Sequence, residues 1–287
     1  MKYPIGIQSF ERIIEDGYVY IDKTDLIYSL THGGSIYFLS RPRRFGKSLL
    51  VSTLKNYYLG HKELFKGLKI DSLEKDWNVH PVFHVDFNGS NFLEEGVLEK
   101  RLYAYVRDWE RQYGLVSDAD SLDLGGRFME VLRAAHEQTG HRAVVLIDEY
   151  DKPILDVLDT DYGLEDRHRN VLKGFYSVFK VSDSHLQFVL LTGVTKFSQV
   201  SVFSGFNQPD DISMDGRYET LCGITQEELR NYFSEPVRDM ASVYHCTEEE
   251  MMQRLKNQYD GYHFSDSLTD VYNPFSLLDA FNKKSIR

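Results

Sequence analysis

The chain has 287 residues, of which 42% are hydrophobic and 14% aromatic, so it can bury at least one large core. Its formal net charge of -11 excludes a protein that binds nucleic acid through overall positive charge, although local cationic patches remain open. The two cysteines, Cys222 and Cys246, are too few for a disulfide framework or a cysteine-rich zinc site, and no apolar run approaches membrane-spanning length. We expect a soluble cytoplasmic protein with free thiols and no membrane partner.

Residues 1–34 precede the first strongly predicted strand and form an N-terminal approach segment. Within it, residues 18–22 are typical of a short strand, and residues 23–30 are typical of a helix. Tyr20, Asp22 and Lys23 are candidates for contacts to a nucleotide base or ribose. A structural role is the simpler interpretation for all three.

Residues 36–39 are apolar and strand-forming, and a turn-rich loop separates them from Gly46, Lys47 and Ser48, which begin a segment with helical spacing. A strand, a loop and Gly-Lys-Ser at a helix start are typical of a phosphate-binding P-loop. Unpaired amides at a helix N-terminus attract phosphate oxygens, the lysine reaches the β- and γ-phosphates, and the serine hydroxyl ligates Mg²⁺. An ordinary helix start is the alternative, and a second motif downstream favours the P-loop.

The loop departs from the general P-loop pattern at its first residue. Arg41 stands where that pattern has glycine, and the following Pro42 restricts Arg41 to extended conformations. We expect a different turn into the loop, with Arg41, Arg43 and Arg44 gripping phosphate through their side chains. The predicted nucleotide contacts are nine consecutive residues: Arg41, Pro42, Arg43, Arg44, Phe45, Gly46, Lys47, Ser48 and Leu49.

The next segments have ordinary structural patterns. Residues 81–87 are typical of a strand, along which His84 and Asp86 alternate without a third metal ligand, so we reject a metal site there. Residues 92–137 have helical spacing and predict two helices, separated by a glycine pair, that cover the sheet.

Five consecutive apolar residues, 143–147, are followed by Asp148 and Glu149. This pattern indicates a strand buried on both faces, with carboxylates at its C-terminal end, where open α/β sheets bind ligands. We predict that Asp148 holds Mg²⁺ together with Ser48, and that Glu149 orients the water that attacks the γ-phosphate. The alternative is a strand that meets solvent at an acidic turn.

Residues 187–193 form another apolar run that predicts a strand, with Thr192 near its C-terminal end. In ATPases a polar side chain on the strand beside the acidic one senses the γ-phosphate, and we assign that role to Thr192. Thr-Gly is also an ordinary turn signal, so a purely structural role is the alternative.

The last third of the chain predicts a loop and a helical module. Residues 198–215 are rich in loop-forming residues, and residues 220–224 predict a short edge strand. Thr225 and Glu228 have the spacing of a capping box, which would begin a C-terminal module over residues 225–287.

Six segments together resemble the bacterial AAA-ATPase-like family. They are residues 20–24 (YIDKT), 41–48 (RPRRFGKS), 146–151 (LIDEYD), 191–195 (LTGVT), 260–264 (DGYHF) and 272–275 (YNPF). The resemblance covers nearly the whole chain, and Arg41 matches this family's version of the loop. It implies an ATPase core, an Asp-Glu pair and a helical lid, often followed by a PD-(D/E)xK nuclease-like domain. The chain ends where such a domain would begin, so we expect a fragment or an ATPase part alone.

The predicted fold is therefore an α/β P-loop NTPase of the AAA/ASCE type. It has a mostly parallel five-stranded sheet flanked by helices, in which the Thr192 strand lies between the P-loop strand and the Asp148 strand. The expected divisions are an approach segment that packs on the core (1–34), a P-loop ATPase core (35–224) and a helical lid module (225–287).

The predicted function is Mg²⁺-dependent binding and hydrolysis of ATP, with Lys47, Glu149 and Thr192 as catalytic residues, which drives or gates a partner or downstream domain. The alternative is a nucleotide-gated switch with negligible turnover, which could be associated with nucleic acid. A homo-oligomer is a further option, because no arginine finger can be named and a neighbouring subunit could supply one. Candidates within the chain are Arg41, Arg43, Arg44 and Arg217.

Overall fold

The computed structural model describes residues 1–115, 123–196, 202–203 and 209–287. Among these residues the central sheet has five strands: β1 (Ile36–Ser40), β2 (Val82–Asp86), β3 (Ala143–Asp148), β4 (Leu186–Gly193) and β5 (Asp210–Asp211). Their order is β2-β3-β4-β1-β5, and every neighbouring pair is parallel. The predicted five-stranded parallel sheet is confirmed, and β4 lies between β1 and β3 as expected. The residues that follow β1, β3 and β4 therefore meet at one edge of the sheet.

The fifth strand differs from the predicted one. Residues 220–224 do not join the sheet; instead β6 (Ile224–Thr225) pairs antiparallel with β7 (Val271–Tyr272). The edge position belongs to β5, which consists of two aspartates without a strand pattern. These aspartates belong to the predicted loop 198–215, part of which lies outside the described residues. Residues 18–22 form no strand either: Val19 and Ile21 pack on the C-terminal module, and Tyr20 packs on the α3 face of the core.

Helices cover both faces of the sheet and build the C-terminal module. They are α1 (Phe10–Glu15), α2 (Thr24–Gly33), α3 (Lys47–Tyr58), α4 (Lys69–Leu73), α5 (Val97–Gln112), α6 (Leu124–Thr139), α7 (Lys152–Leu155), α8 (Tyr162–Tyr176), α9 (Val178–Val181), α10 (Gln226–Val243), α11 (Glu248–Tyr259) and α12 (Pro274–Lys283). Short 3-10 segments lie at Lys62–Phe65 and Asp183–His185. None of the described helices has the length and apolarity that a bilayer crossing requires.

The central strands are buried on both faces, which explains their continuous apolar runs. Phe38 of β1 and Ile147 of β3 pack with α5, α6 and α8 on one face. Leu39 and Leu146 point to the other face, where they pack with α3. The sheet therefore holds α3, with the residues just before it, rigidly at the end of β1.

The glycine pair of the predicted helical region lies inside a helix. The side chain of Asp123 caps α6 by accepting a hydrogen bond from the amide of Gly126 at 2.7 Å, so both glycines belong to the first turn. A Cβ atom at Gly125 would lie 3.4 Å from the carbonyl oxygen of Gly174 in α8. The pair lies in the first turn of α6 rather than between the two helices, so the prediction of a break there is wrong.

The C-terminal module has its own apolar cluster, built by α10, α11 and α12. The predicted capping box is confirmed: Thr225 Oγ1 accepts from the amide of Glu228 at 3.1 Å, and Glu228 Oε1 accepts from the amide of Thr225 at 2.9 Å. Tyr3 of the N-terminal segment packs against this cluster, whereas Phe10 belongs to the core on the α3 face. The N-terminal segment therefore contacts both the core and the module.

Candidate nucleotide site

Two of the predicted site residues, Ser48 and Thr192, converge on the carboxylate of a third, Asp148. Asp148, at the end of β3, is 2% exposed. Its Oδ2 accepts a hydrogen bond from Ser48 Oγ at 2.6 Å, and its Oδ1 accepts one from Thr192 Oγ1 at 2.7 Å. Asp148 thus joins the start of α3 to the end of β4, as the strand order requires.

The loop before α3 begins in extended backbone and ends in a left-handed turn. The amide of Arg41 donates to the carbonyl of Gly193 at 3.1 Å, which continues the pairing of β1 with β4 for one residue. Gly46, the N-cap of α3, has a φ of 86°, where glycine is favoured over residues with a Cβ atom. Since α3 begins at Lys47, its first-turn amides are the donors that a P-loop presents to phosphate.

The side chain of Lys47 reaches back to the start of the loop. Its ammonium donates to the carbonyls of Arg41 at 3.0 Å and Pro42 at 3.1 Å, and lies 3.8 Å from Glu149 Oε1. The residue is only 4% exposed. A desolvated cation between loop carbonyls and a carboxylate attracts any anion that reaches the loop.

Glu149 has an unusual backbone conformation directly after β3. Its φ is 58°, in the left-handed region that non-glycine residues rarely adopt. Burial raises the pKa of its carboxyl, and the nearby Lys47 ammonium opposes that shift. Left-handed backbone of this kind is concentrated at functional sites, and here it directs the carboxylate toward Lys47.

The three arginines of the loop have different environments. Arg41 is 1% exposed; its guanidinium donates to the carbonyl of Ser213 at 2.7 Å and lies 4.0 Å from the ring centre of Phe264. This position is inside the fold, so the expectation that the Arg41 side chain grips phosphate is wrong. Its burial among carbonyl acceptors is the physical reason. Arg43 and Arg44 do reach the cleft described next.

The loop opens onto a cleft of about 620 Å³ whose walls come from three parts of the chain. Lys47 and Glu149 line its core side, the N-terminal residues 4–8 line another, and Phe275 of α12 lines the third. An apolar cavity of about 100 Å³ adjoins it and shares Gly46 with the cleft. A cleft lined by charged as well as apolar side chains, with an apolar cavity beside it, has the polarity that suits a nucleotide.

The candidates from the approach segment have separate positions. Tyr20 and Lys23 line the apolar cavity, whereas Asp22 accepts hydrogen bonds from the amides of Thr24 at 2.9 Å and Lys69 at 2.8 Å. These two bonds give Asp22 a structural role.

Sequence reasoning missed several residues of the cleft, among them residues 4–8, Asn88 and Lys152. Residues 4–8 carry no motif. Packing of the N-terminal segment on the C-terminal module brings them to the cleft, and no local pattern predicts that packing. Phe275 had a signal, because it ends the YNPF segment of the resemblance.

A parallel sheet with Gly-Lys-Ser after β1 and an Asp-Glu pair at the end of β3 defines the class of protein as a P-loop NTPase. Within that class, the chain belongs to the AAA-ATPase-like family: residues 4–203 match the family model described as "Predicted AAA-ATPase".

A curated relative and a solved structure are also similar. An uncharacterized protein from the vnfD 5' region of Azotobacter chroococcum mcd 1 is 41% identical over 288 residues, a match covering 100% of this chain and 53% of that protein. The chain thus spans about half the length of this relative. The structure of the Aeropyrum pernix ORC1 protein in complex with DNA aligns with a TM-score of 0.34 at 11% identity, over 80% of this chain and 55% of that chain. A structural similarity this low supports no conclusion about function.

Proposed function

We propose that the protein binds ATP in the cleft and hydrolyses it with Mg²⁺. The convergence of Ser48 and Thr192 on Asp148, with Lys47 and Glu149 beside them, carries the proposal. In this proposal Lys47 is the phosphate-binding cation, Ser48 and Asp148 are the metal-binding pair, and Glu149 is the water-orienting carboxylate. Positioning and electrostatics of this kind supply most of the rate in phosphoryl transfer.

The residues fit a magnesium ion. Mg²⁺ prefers hard oxygen ligands, and the Ser48 hydroxyl and Asp148 carboxylate lie 2.6 Å apart. These two side chains would hold the ion. When bound, Mg²⁺ neutralises charge on the phosphates.

The other residues act on phosphate and water. Lys47 exchanges its hydrogen bonds to the loop carbonyls for hydrogen bonds to β- and γ-phosphate oxygens. Arg43 adds a second cation from the cleft wall. Glu149 accepts a hydrogen bond from the attacking water and aligns it with the γ-phosphate. Thr192 connects to this chemistry through its bond to Asp148, which suits a sensor of the γ-phosphate.

The apolar cavity is the proposed base site. Its walls include Val19, Ile21 and Leu49, and Tyr20 and Lys23 contribute to its lining. Apolar side chains above and below a flat base remove its faces from water, which favours binding.

A nucleotide-gated switch is the second proposal, and contacts between the loop and the C-terminal module favour it. The guanidinium of Arg44 lies 4.3 Å from the ring centre of Phe275 in α12. A nucleotide that draws Arg44 toward its phosphates must loosen this contact. Occupancy of the cleft would then change the position of the module and of any partner attached to it, with or without hydrolysis.

Lys47→Ala tests the nucleotide site, with Lys62→Ala as a control at an exposed lysine. Charge-assisted hydrogen bonds to phosphate disappear in the first variant, so we expect nucleotide affinity to fall at least about tenfold and turnover to vanish. Calorimetric titration with ATP and a phosphate-release assay measure the two quantities. Affinity and turnover equal to those of the Lys62→Ala control would refute the site.

A further inference from the structure

Asp151 is a fully buried acid that the proposed mechanism does not use. Its exposed fraction is 0%, and it lies just beyond Asp148 and Glu149. Its Oδ2 accepts hydrogen bonds from the amides of Val194 at 3.2 Å and Thr195 at 3.0 Å, directly after β4. Within the described part of the chain, its Oδ1 has no hydrogen-bond partner. Burying a carboxylate costs free energy, so this carboxylate needs a structural or functional reason.

Gly193 leaves the space that Asp151 and Tyr150 occupy. A Cβ atom there would lie 2.8 Å from Asp151 Oδ1 and 2.4 Å from Cε1 of Tyr150. The glycine is therefore required for space, since any larger side chain would displace the residues that follow Glu149. Tyr150 adds two hydrogen bonds to the same strand end: its amide donates to the carbonyl of Thr192 at 2.9 Å, and its hydroxyl donates to that of Thr195 at 2.8 Å.

These contacts lie directly after the left-handed backbone of Glu149. Such a conformation persists only when its surroundings hold it, and Asp151 with Tyr150 fixes the chain immediately after it. The same bonds fix the end of β4, which carries Thr192. Glu149 and Thr192 are thereby held in one arrangement.

We propose that Asp151 is a positioning residue that holds the Glu149 turn against the end of β4, with Gly193 supplying the space. The inference rests on the proposed ATP hydrolysis. Asp151 does not line the nucleotide cleft, so it acts on the rate of the chemical step through Glu149 rather than on nucleotide binding.

The test compares Asp151→Ala, Asp151→Asn and Gly193→Ala with the unmodified chain. Asp123→Ala is the control. Asp123 also accepts a backbone hydrogen bond, but it does so as the N-cap of α6, away from β3 and β4. We expect Asp151→Ala to lower kcat by about tenfold to a hundredfold, since small misplacements of catalytic groups have effects of that size. The Kd for ATP should change less than about threefold, because binding groups are untouched. Asp151→Asn keeps an acceptor oxygen and should remain within about threefold of the unmodified kcat.

Gly193→Ala disturbs the same contact from the other side and should lower kcat without changing the Kd. Because both changes act on one contact, the kcat of the double variant Asp151→Ala with Gly193→Ala should lie within about threefold of the kcat of the slower single variant. Should Asp151→Ala fail to fold, Gly193→Ala still decides the question, because an unchanged kcat in that variant would overturn the inference. An unchanged kcat in Asp151→Ala, a parallel loss of affinity, or fully additive effects would overturn the inference.

Hydrogen exchange followed by mass spectrometry separates this inference from the proposed function. Asp151→Ala should speed exchange of the amides of Val194 and Thr195, and Asp123→Ala should not. Absence of turnover in the unmodified chain would refute hydrolysis, and the exchange result would then decide whether Asp151 holds the end of β4. Unchanged exchange there would contradict that role.

Discussion

At the scale of single residues, the three arginines of the phosphate loop have the same side chain but different surroundings. Arg41 is buried among carbonyls, and Arg44 stacks on Phe275. Among the described residues, Arg43 has neither a hydrogen-bond nor an ion-pair partner, and it lines the cleft. Arg43 can therefore bind a ligand without giving up a ring contact, whereas Arg44 would have to leave Phe275.

Arg43→Ala should weaken ATP binding, whereas Arg41→Ala should lower the stability of the fold. Arg43→Ala removes a phosphate contact, so we expect ATP affinity to fall about tenfold with little change in the free energy of unfolding. Arg41→Ala removes the buried guanidinium that donates to the carbonyls of Ser40, Ser213 and Tyr218, and should lower the free energy of unfolding by about 3 kcal/mol. Denaturant unfolding and ATP titration of both variants provide the comparison. If Arg41→Ala weakened ATP binding at unchanged stability, the assigned roles would be reversed.

Sequence was sufficient to predict that Ser48, Asp148 and Thr192 lie together, because each follows a strand or begins a helix with a readable pattern. It was insufficient for Arg41. Its acceptors Ser213 and Tyr218 lie 172 and 177 residues along the chain, and no local pattern predicts that contact. The left-handed backbone of Glu149 was also unpredictable, since glutamate carries no signal for it.

At the scale of elements, aromatic side chains join the phosphate loop to the segment between α11 and β7. The ring centre of Phe45 lies 4.8 Å from that of Tyr262 and 5.6 Å from that of Phe264. Phe264 also covers the guanidinium of Arg41. The DGYHF segment therefore packs against the phosphate loop.

Phe264→Ala should lower the free energy of unfolding by about 2 kcal/mol, because it removes an aromatic pair and a cation–π contact. Tyr162→Ala is a suitable control, since Tyr162 is 70% exposed. Denaturant midpoints of the two variants provide the measurement. Equal midpoints would show that Phe264 does not support the loop.

Elements with strong patterns were predictable, and very short ones were not. The apolar runs of β1, β3 and β4 and the capping box of α10 depend on local sequence. By contrast, β5 is a pair of aspartates, and it becomes a strand only because the edge of β1 offers backbone partners. Tertiary context, rather than propensity, decides such strands.

At the scale of the whole molecule, the cleft depends on contact between the N-terminal segment and the C-terminal module. The ring of Tyr3 stacks on Phe281 at 6.1 Å and on Phe233 at 6.5 Å. This contact is adjacent in sequence to residues 4–8, which line the cleft. The expected packing of residues 1–34 on the core therefore describes only part of their contacts.

Tyr3→Ala should affect both stability and binding. Loss of two aromatic contacts lowers the free energy of unfolding by about 1–2 kcal/mol, and release of residues 4–8 should weaken ATP binding by about threefold or more. The exposed residue Glu11 gives a control, Glu11→Ala, on α1. A variant with reduced stability and unchanged ATP affinity would show that residues 4–8 contribute nothing to the site.

Single-turnover hydrolysis of ATP with Mg²⁺, comparing the unmodified chain with Glu149→Gln, tests the central claim most directly. Glutamine preserves the shape of the side chain but cannot act as a carboxylate toward water. We predict that both proteins bind ATP, that the unmodified chain releases phosphate, and that the variant retains intact ATP. Equal phosphate release by both proteins would contradict the role of Glu149, and binding without release by either would support a nucleotide switch instead of an ATPase.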